Sequence, residues 1–258
     1  MFFGVDYYPE QWVFPYAGTD ENPEGQWEAD AQLMVKAGIN VVRLGEYSWG
    51  LCEREEGKYQ FDWLKRVMDI MARHNIKIVL GTPTAAPPIW LARKHPEILP
   101  VDEQGQVRHE GTRRAVCLAS DVYWDYSRKI VTAMATALGK HPAVIAWQID
   151  SGIGGHQTEV SFNSATREEW QLWLKQKYTT IERLNEQLGL RYWGQIVSSW
   201  EDVPMPQQAP TMHNPALLLD WNRFSSDVIV QFARMQADIL HELCPDAPVT
   251  TNLRALQR

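Results

Sequence analysis

The 258-residue sequence holds only three cysteines, Cys52, Cys117 and Cys244, too far apart for a disulfide framework or a paired-thiolate metal site. Its longest apolar runs are a handful of residues, too short to span a bilayer, so no membrane partner is expected. A cationic surplus is missing as well, because 25 Lys+Arg stand against 32 Asp+Glu for a formal charge of −7. A mean field of that sign attracts no polyanion, which argues against a nucleic-acid or anionic-membrane binder. No internal repeat, low-complexity tract or glycine-rich phosphate loop is present. The first ten residues, MFFGVDYYPE, carry acids and no basic stretch, so no secretory leader is expected and the chain reads as cytoplasmic.

What is present is an ordinary globular composition with one departure. Hydrophobic residues make up 45% and charged residues 22%, which excludes a disordered chain. Twelve Trp, nine Tyr and seven Phe bring the aromatic share to 11%. Aromatic faces stack on the C–H-rich faces of sugars, so this surplus leans towards carbohydrate, with a large aromatic core as the competing explanation.

Short apolar runs alternate with amphipathic stretches along the whole chain. Strands are predicted at Phe2 to Tyr8, Asn40 to Glu46 (NVVRLGE), Lys77 to Gly81 (KIVLG), Ala143 to Asp150 (AVIAWQID) and Val249 to Leu253. Helices are predicted at Gly25 to Ala37, Phe61 to His74, Asp121 to Leu138, Arg167 to Tyr178, Ile181 to Leu188 and Pro215 to Leu243, and a Pro-rich loop, TPTAAPP, precedes Ile89 to Lys94. Strand–helix alternation with near-continuous apolar strands implies a buried parallel sheet. Asp6, Glu46, Thr82 and Asp150 end these strands, where a parallel barrel builds its active site. The reading is an α/β fold of the (β/α)8 TIM-barrel type, a single domain over 1–258 that is incomplete, since about five of eight βα units are found. An open doubly wound sheet is the alternative.

Four segments carry a family likeness: GVDYYPEQW (4–12), NVVRLGEYSWGLCEREEGKYQFDWL (40–64), GTPTAAPPIWLARKHPEILPVD (81–102) and VIAWQID (144–150). Together, and in this order, they resemble the β-galactosidases of glycoside hydrolase family 42, over the chain up to Asn252. The resemblance implies a (β/α)8 barrel and retaining hydrolysis of terminal β-D-galactosides. It also implies two glutamates, an acid/base at the end of strand four and a nucleophile at the end of strand seven. Retention requires both, one to protonate the leaving oxygen and one to attack the anomeric carbon, with the two carboxyls about 5 Å apart.

The family's strand-four motif runs Trp-Gln-Ile-Asp-Asn-Glu-Phe-Gly, whereas this chain reads Trp147-Gln148-Ile149-Asp150-Ser151-Gly152-Ile153-Gly154. Gly152 therefore stands where the acid/base belongs, and Ser151 where a sugar-binding asparagine belongs. Glycine can neither donate nor accept a catalytic proton. The nucleophile falls on a strand beyond the fifth, outside residues 1–258. Many relatives bind a structural zinc through one cysteine after strand three and a later cysteine cluster. Cys117 matches the first position, while Ser161, Asn163 and Thr166 occupy the cluster, a poor zinc donor set. No metal and no other cofactor is expected.

The sugar-pocket residues implied by the resemblance are Arg113, Ser151, Glu46 and Asp6. A guanidinium fork at Arg113 suits vicinal hydroxyls, but an ion pair with Asp150 or Glu46 explains it equally. Glu46 and Asp6 read either as pocket floor or as a buried network supporting Arg43 and Arg113. Trp147 lies inside a strand and reads as core, and His156 reads as an exposed loop residue. Three functional expectations follow: an impaired β-galactosidase piece acting on a small carbohydrate, a non-catalytic glycan-binding or regulatory pseudo-hydrolase, or an enzyme with Asp150, Glu159 or Glu46 as displaced catalytic groups. Two unpaired sheet edges further predict a homo-oligomer, or a partner covering the open barrel edge.

Overall fold

The computed structural model describes residues 1–155 and 161–252. Its elements run β1 (Gly4–Asp6), α1 (Gly25–Lys36), β2 (Val41–Leu44), α2 (Trp49–Cys52), α3 (Asp62–Arg73), β3 (Lys77–Gly81), α4 (Ile89–Lys94), α5 (Asp121–Leu138), β4 (Val144–Gln148), α6 (Ser164–Tyr178), α7 (Ile181–Gln187), α8 (Pro215–Leu243) and β5 (Val249–Thr250). All five strands form one parallel sheet in the order β1-β2-β3-β4-β5. The predicted strands are all present, shortened at their ends, where polar residues and glycines turn the backbone out of the sheet. At Gly45, for instance, φ is +95°, a conformation open to glycine but costly to a β-branched residue.

The helices follow from pattern and punctuation. In α3, Leu64, Val67, Met68 and Met71 recur at helical spacing and are fully buried. Burial of side chains of this kind contributes about 1.5–3 kcal/mol each. Helix α1 ends in a left-handed turn at Gly38, φ +80°, where Gly38 N–H donates to Val35 O and Ile39 N–H to Met34 O. Asn163 caps α6 by accepting the Thr166 N–H at 3.1 Å, and Thr180 caps α7 by accepting the Arg183 N–H.

The described chain divides into two compact units. One holds Met1–Leu91, Tyr126–Ile153 and the residues from Ala233 onward, and contains the whole sheet. The other holds Ala92–Asp125 and Gly154–Phe232. The core of the second unit gathers Trp170, Leu174, Tyr178, Leu184, Trp221 and Phe224, with the Trp170 ring 5.2 Å from Trp221 edge-on and 5.3 Å from Phe224. In the first unit Trp27, Trp49 and Trp147 are buried. Much of the tryptophan surplus is therefore core, and Trp147 is core as its strand position predicts. No helix among the described residues is long and apolar enough to cross a membrane.

Candidate active site at the strand ends

The carboxyl ends of the strands bring Asp6, Arg43, Glu46 and Gln148 into one polar network. Arg43 is its hub: Nη2 donates to Asp6 Oδ2 at 2.7 Å, Nε to Glu46 Oε1 at 2.8 Å and Nη1 to Gln148 Oε1 at 2.9 Å. The Tyr8 hydroxyl donates to the same Glu46 oxygen at 3.2 Å. Glu46 is fully buried and its second oxygen has no hydrogen-bond partner, whereas Asp6 is 49% exposed in its side chain. Burial, with Glu46 as the second cause, pushes the Tyr8 phenol up to about 12. Desolvation pulls the Arg43 guanidinium down, but the carboxylates of Glu46 and Asp6 outweigh it and the net shift is upward.

A second layer organises the end of β4. Asp150 is fully buried in the left-handed region at φ +54°, a strained position for a non-glycine residue. Its N–H donates to Thr82 Oγ1 at 2.7 Å, and its Oδ2 accepts the Thr84 hydroxyl at 2.6 Å. Oδ1 accepts the Ser151 N–H, and the Asp150 carbonyl accepts Gln148 Nε2 at 2.9 Å. Thr82 also donates to Oε1 of Gln236 on α8, at 2.6 Å. Ser151 and Tyr47 exchange a hydroxyl hydrogen bond at 2.9 Å. Gly152 sits at φ +70°, and its N–H donates to Asn252 Oδ1, just past β5, at 2.8 Å.

Five of the residues singled out in the sequence, Asp6, Glu46, Asp150, Ser151 and Gly152, thus fall in the sheet-bearing unit. Sequence reasoning missed Tyr8, Tyr47, Gln148 and Gln236. A usable signal existed for Gln148, a polar residue two positions before Asp150 in an otherwise apolar strand. Arg113 belongs to the second unit, where it is exposed, while its neighbour Arg114 is buried at φ +70°. His156 and Glu159 lie outside the described residues.

The comparisons with known proteins agree with this geometry. A family model described as "Beta-galactosidase", that of glycoside hydrolase 42, matches residues 6–258. The chain belongs to glycoside hydrolase family 42. A β-galactosidase of Thermus thermophilus is 41% identical over 249 residues, which is 96% of this chain and 37% of that protein. The crystal structure of a β-galactosidase from the psychrophilic Marinomonas ef1 superposes with a TM-score of 0.92 at 40% identity, covering 98% of this chain and 37% of that one. A polyextremophilic β-galactosidase from Halorubrum lacusprofundi gives a TM-score of 0.91 at 37% identity. The chain thus spans little more than a third of the relatives' length, and corresponds to the N-terminal part of the family 42 barrel. Its five parallel strands are a partial TIM-type barrel.

Within family 42, the cysteine position and its neighbours can be tested for zinc. Cys117 Sγ lies 3.1 Å from Thr166 Oγ1 and donates to Asn163 Oδ1 at 3.3 Å. Asn163 Nδ2 donates to the carbonyls of Glu97 and Leu99, and Ser161 Oγ accepts the Val101 N–H. Burial pushes the Cys117 thiol up, away from the thiolate that binds metal. One neutral thiol, two hydroxyls and an amide already engaged in capping α6 do not fit a zinc ion. The four residues form a hydrogen-bonded staple between the segment at Cys117 and the start of α6.

Proposed function

We propose that this chain is the N-terminal part of a single family 42 barrel domain that engages the galactosyl end of a small carbohydrate but does not turn it over unaided. Gly152 carries the reading. At the position where the family places its acid/base the chain has no side chain at all, and the backbone N–H there is committed to Asn252. Of the three carboxyls considered as substitutes, Glu159 lies outside the described residues and the other two are sealed. Asp150 and Glu46 are both fully buried, and Asp150 accepts hydrogen bonds on both of its oxygens. A nucleophile must reach the anomeric carbon, which a carboxylate sealed in a network cannot do without rearrangement.

Substrate contact is assigned to Ser151 and Asp6 at the strand ends, with the buried Glu46 supporting them through Arg43, and to Arg113 through the family resemblance alone. The test is hydrolysis of an aryl β-D-galactoside with an excellent leaving group, followed for a burst and with added azide. Such a leaving group needs no acid, so the assay asks only about the nucleophile. No release above buffer is expected. A burst, or turnover accelerated by azide, would overturn the reading and favour displaced catalytic groups.

A second reading, a non-catalytic glycan-binding or regulatory pseudo-hydrolase, is favoured by the Tyr47–Ser151 hydroxyl pair. It keeps two hydroxyls at the strand ends while the catalytic side chain is gone. Saturable galactose binding without hydrolysis distinguishes it. Either reading includes a covered sheet edge, because Phe2, Phe3 and Val5 are exposed around edge strand β1. A homo-oligomer or a partner is expected there, and a monodisperse monomer in sedimentation would count against it. A cytoplasmic location is supported by three free, buried cysteines.

A further inference from the structure

A cleft of about 520 Å³ opens between the loop after β1, α2 and the first turn of α3. None of the strand-end residues named above lines it, and its volume lies within the roughly 300–1,000 Å³ range of small-molecule sites. Leu51 and Trp63 supply apolar walls, and Glu10, Arg54 and Gln60 supply polar groups. Trp27 of α1 is fully buried behind this surface, its indole N–H donating to Pro9 O at 2.9 Å.

The polar groups are those with unspent capacity. Arg54 and Gln60 are exposed, and among the described residues their side chains make no hydrogen bond or ion pair. Behind this surface, Glu10 Oε2 is buried without a partner, and the Trp63 indole N–H lies beside the Cys52 thiol. The other charges there are spent, since Arg66 forks onto both oxygens of Glu24 at 2.8 and 2.5 Å. Arg54 is balanced by Asp62 and Glu10 in the same wall, so the cleft has no cationic excess for a phosphate or carboxylate.

We infer that this cleft is a second saccharide site, separate from the strand ends, which takes a neutral hexopyranose or disaccharide. The flat indole and aliphatic walls suit the C–H face of a pyranose, and the guanidinium fork and the amide suit vicinal hydroxyls. Burial pushes the Glu10 carboxyl up from its ordinary value, a hydrogen bond from its own backbone opposes this, and the Glu46 charge adds to the rise. The site does not depend on hydrolysis, so it stands or falls independently of the proposed activity.

The experiment titrates the full chain with lactose while following the tryptophan indole N–H and glutamine side-chain amide resonances. The Trp63 and Gln60 signals are expected to shift saturably. Arg54→Ala and Gln60→Ala, both exposed and so expected to fold, should each weaken the binding at least tenfold with an unchanged melting temperature. Ser151→Ala at the strand ends should leave the Trp63 response intact. Absence of a saturable shift, a response indifferent to both cleft variants, or one abolished by Ser151→Ala overturns the inference. So does competition by inorganic phosphate, which would mark an anion site.

Discussion

The N–H of Gly152 and the side-chain oxygen of Asn252 lie 2.8 Å apart, tying the loop after β4 to the end of β5. The bond exists because Gly152 is in the left-handed region, φ +70°, which turns its N–H towards Asn252. Restoring a carboxylate by Gly152→Glu therefore places a side chain where L-residues are strained, at a cost of about 1–2 kcal/mol. We expect a melting temperature lower by a few degrees in calorimetry, and no gain in aryl galactoside hydrolysis, because the described carboxyls Asp150 and Glu46 are both sealed by burial. A stable variant with new turnover would show that this loop is not held as described.

Arg43 and Asp6 are 2.7 Å apart, yet the two partners are not equal. Asp6 is half exposed, so Asp6→Ala should cost under about 1 kcal/mol, as exposed ion pairs do. Arg43→Ala strips the only cation paired, among the described residues, with a fully buried Glu46 whose second oxygen is already unpartnered, and should cost about 3–5 kcal/mol. Adding Glu46→Gln to Arg43→Ala should recover a large part of that loss. Denaturant unfolding of the three variants measures it, and equal effects of the two single substitutions would contradict the asymmetry.

How much of this was legible depends on the range of the interaction. The strands NVVRLGE and KIVLG announce themselves, because burial on both faces demands continuous apolar residues and the glycines mark their ends. The amphipathic face of α3 is equally plain, with Leu64, Val67, Met68 and Met71 at one period. Residues 6, 43 and 46 were readable as one network from their places at neighbouring strand ends. Gln148 and Gln236 were not, since bonds over 105 and 154 residues depend on sheet register and helix docking. Nor was the left-handed backbone at Asp150, because nothing local in WQIDSG favours that conformation over an extended one. The cleft at Trp63 was hidden for a further reason: its lining comes from four segments, the loop after β1, α1, α2 and α3, whose residues each look like ordinary surface or core.

Tyr8 gives the network a pH signature. Its phenol ordinarily titrates near about 10, and in the fold burial and then Glu46 push it up to about 12. The folded chain therefore keeps this proton where the unfolded chain loses it. The resulting stability is fully present below the ordinary value and is lost as pH rises through the window from about 10 to about 12. Arg43 opposes the shift, and Asp6 and Tyr47 add to it. Tyr8→Phe should flatten the alkaline loss, and Glu46→Gln should move one tyrosinate absorbance component to lower pH. An unchanged tyrosinate titration in Glu46→Gln would separate Tyr8 from Glu46.

The staple at Cys117 predicts indifference to metal. Asn163 Oδ1 accepts from the Thr166 N–H at 3.1 Å, the Thr166 hydroxyl at 2.9 Å and the Cys117 thiol at 3.3 Å, so a single oxygen joins the helix cap to the thiol. Asn163→Ala removes the cap and the acceptor shared by the Thr166 hydroxyl and the Cys117 thiol, which keep only their contact with each other, a loss of about 1–3 kcal/mol. Cys117→Ser keeps a donor of similar shape and should cost less. A strong chelator should leave the melting temperature of the unaltered chain where it was, and added zinc should not raise it, because the thiol is held neutral by burial. A chelator-dependent fall would mean that a metal, rather than Asn163, holds the start of α6 to the Cys117 segment.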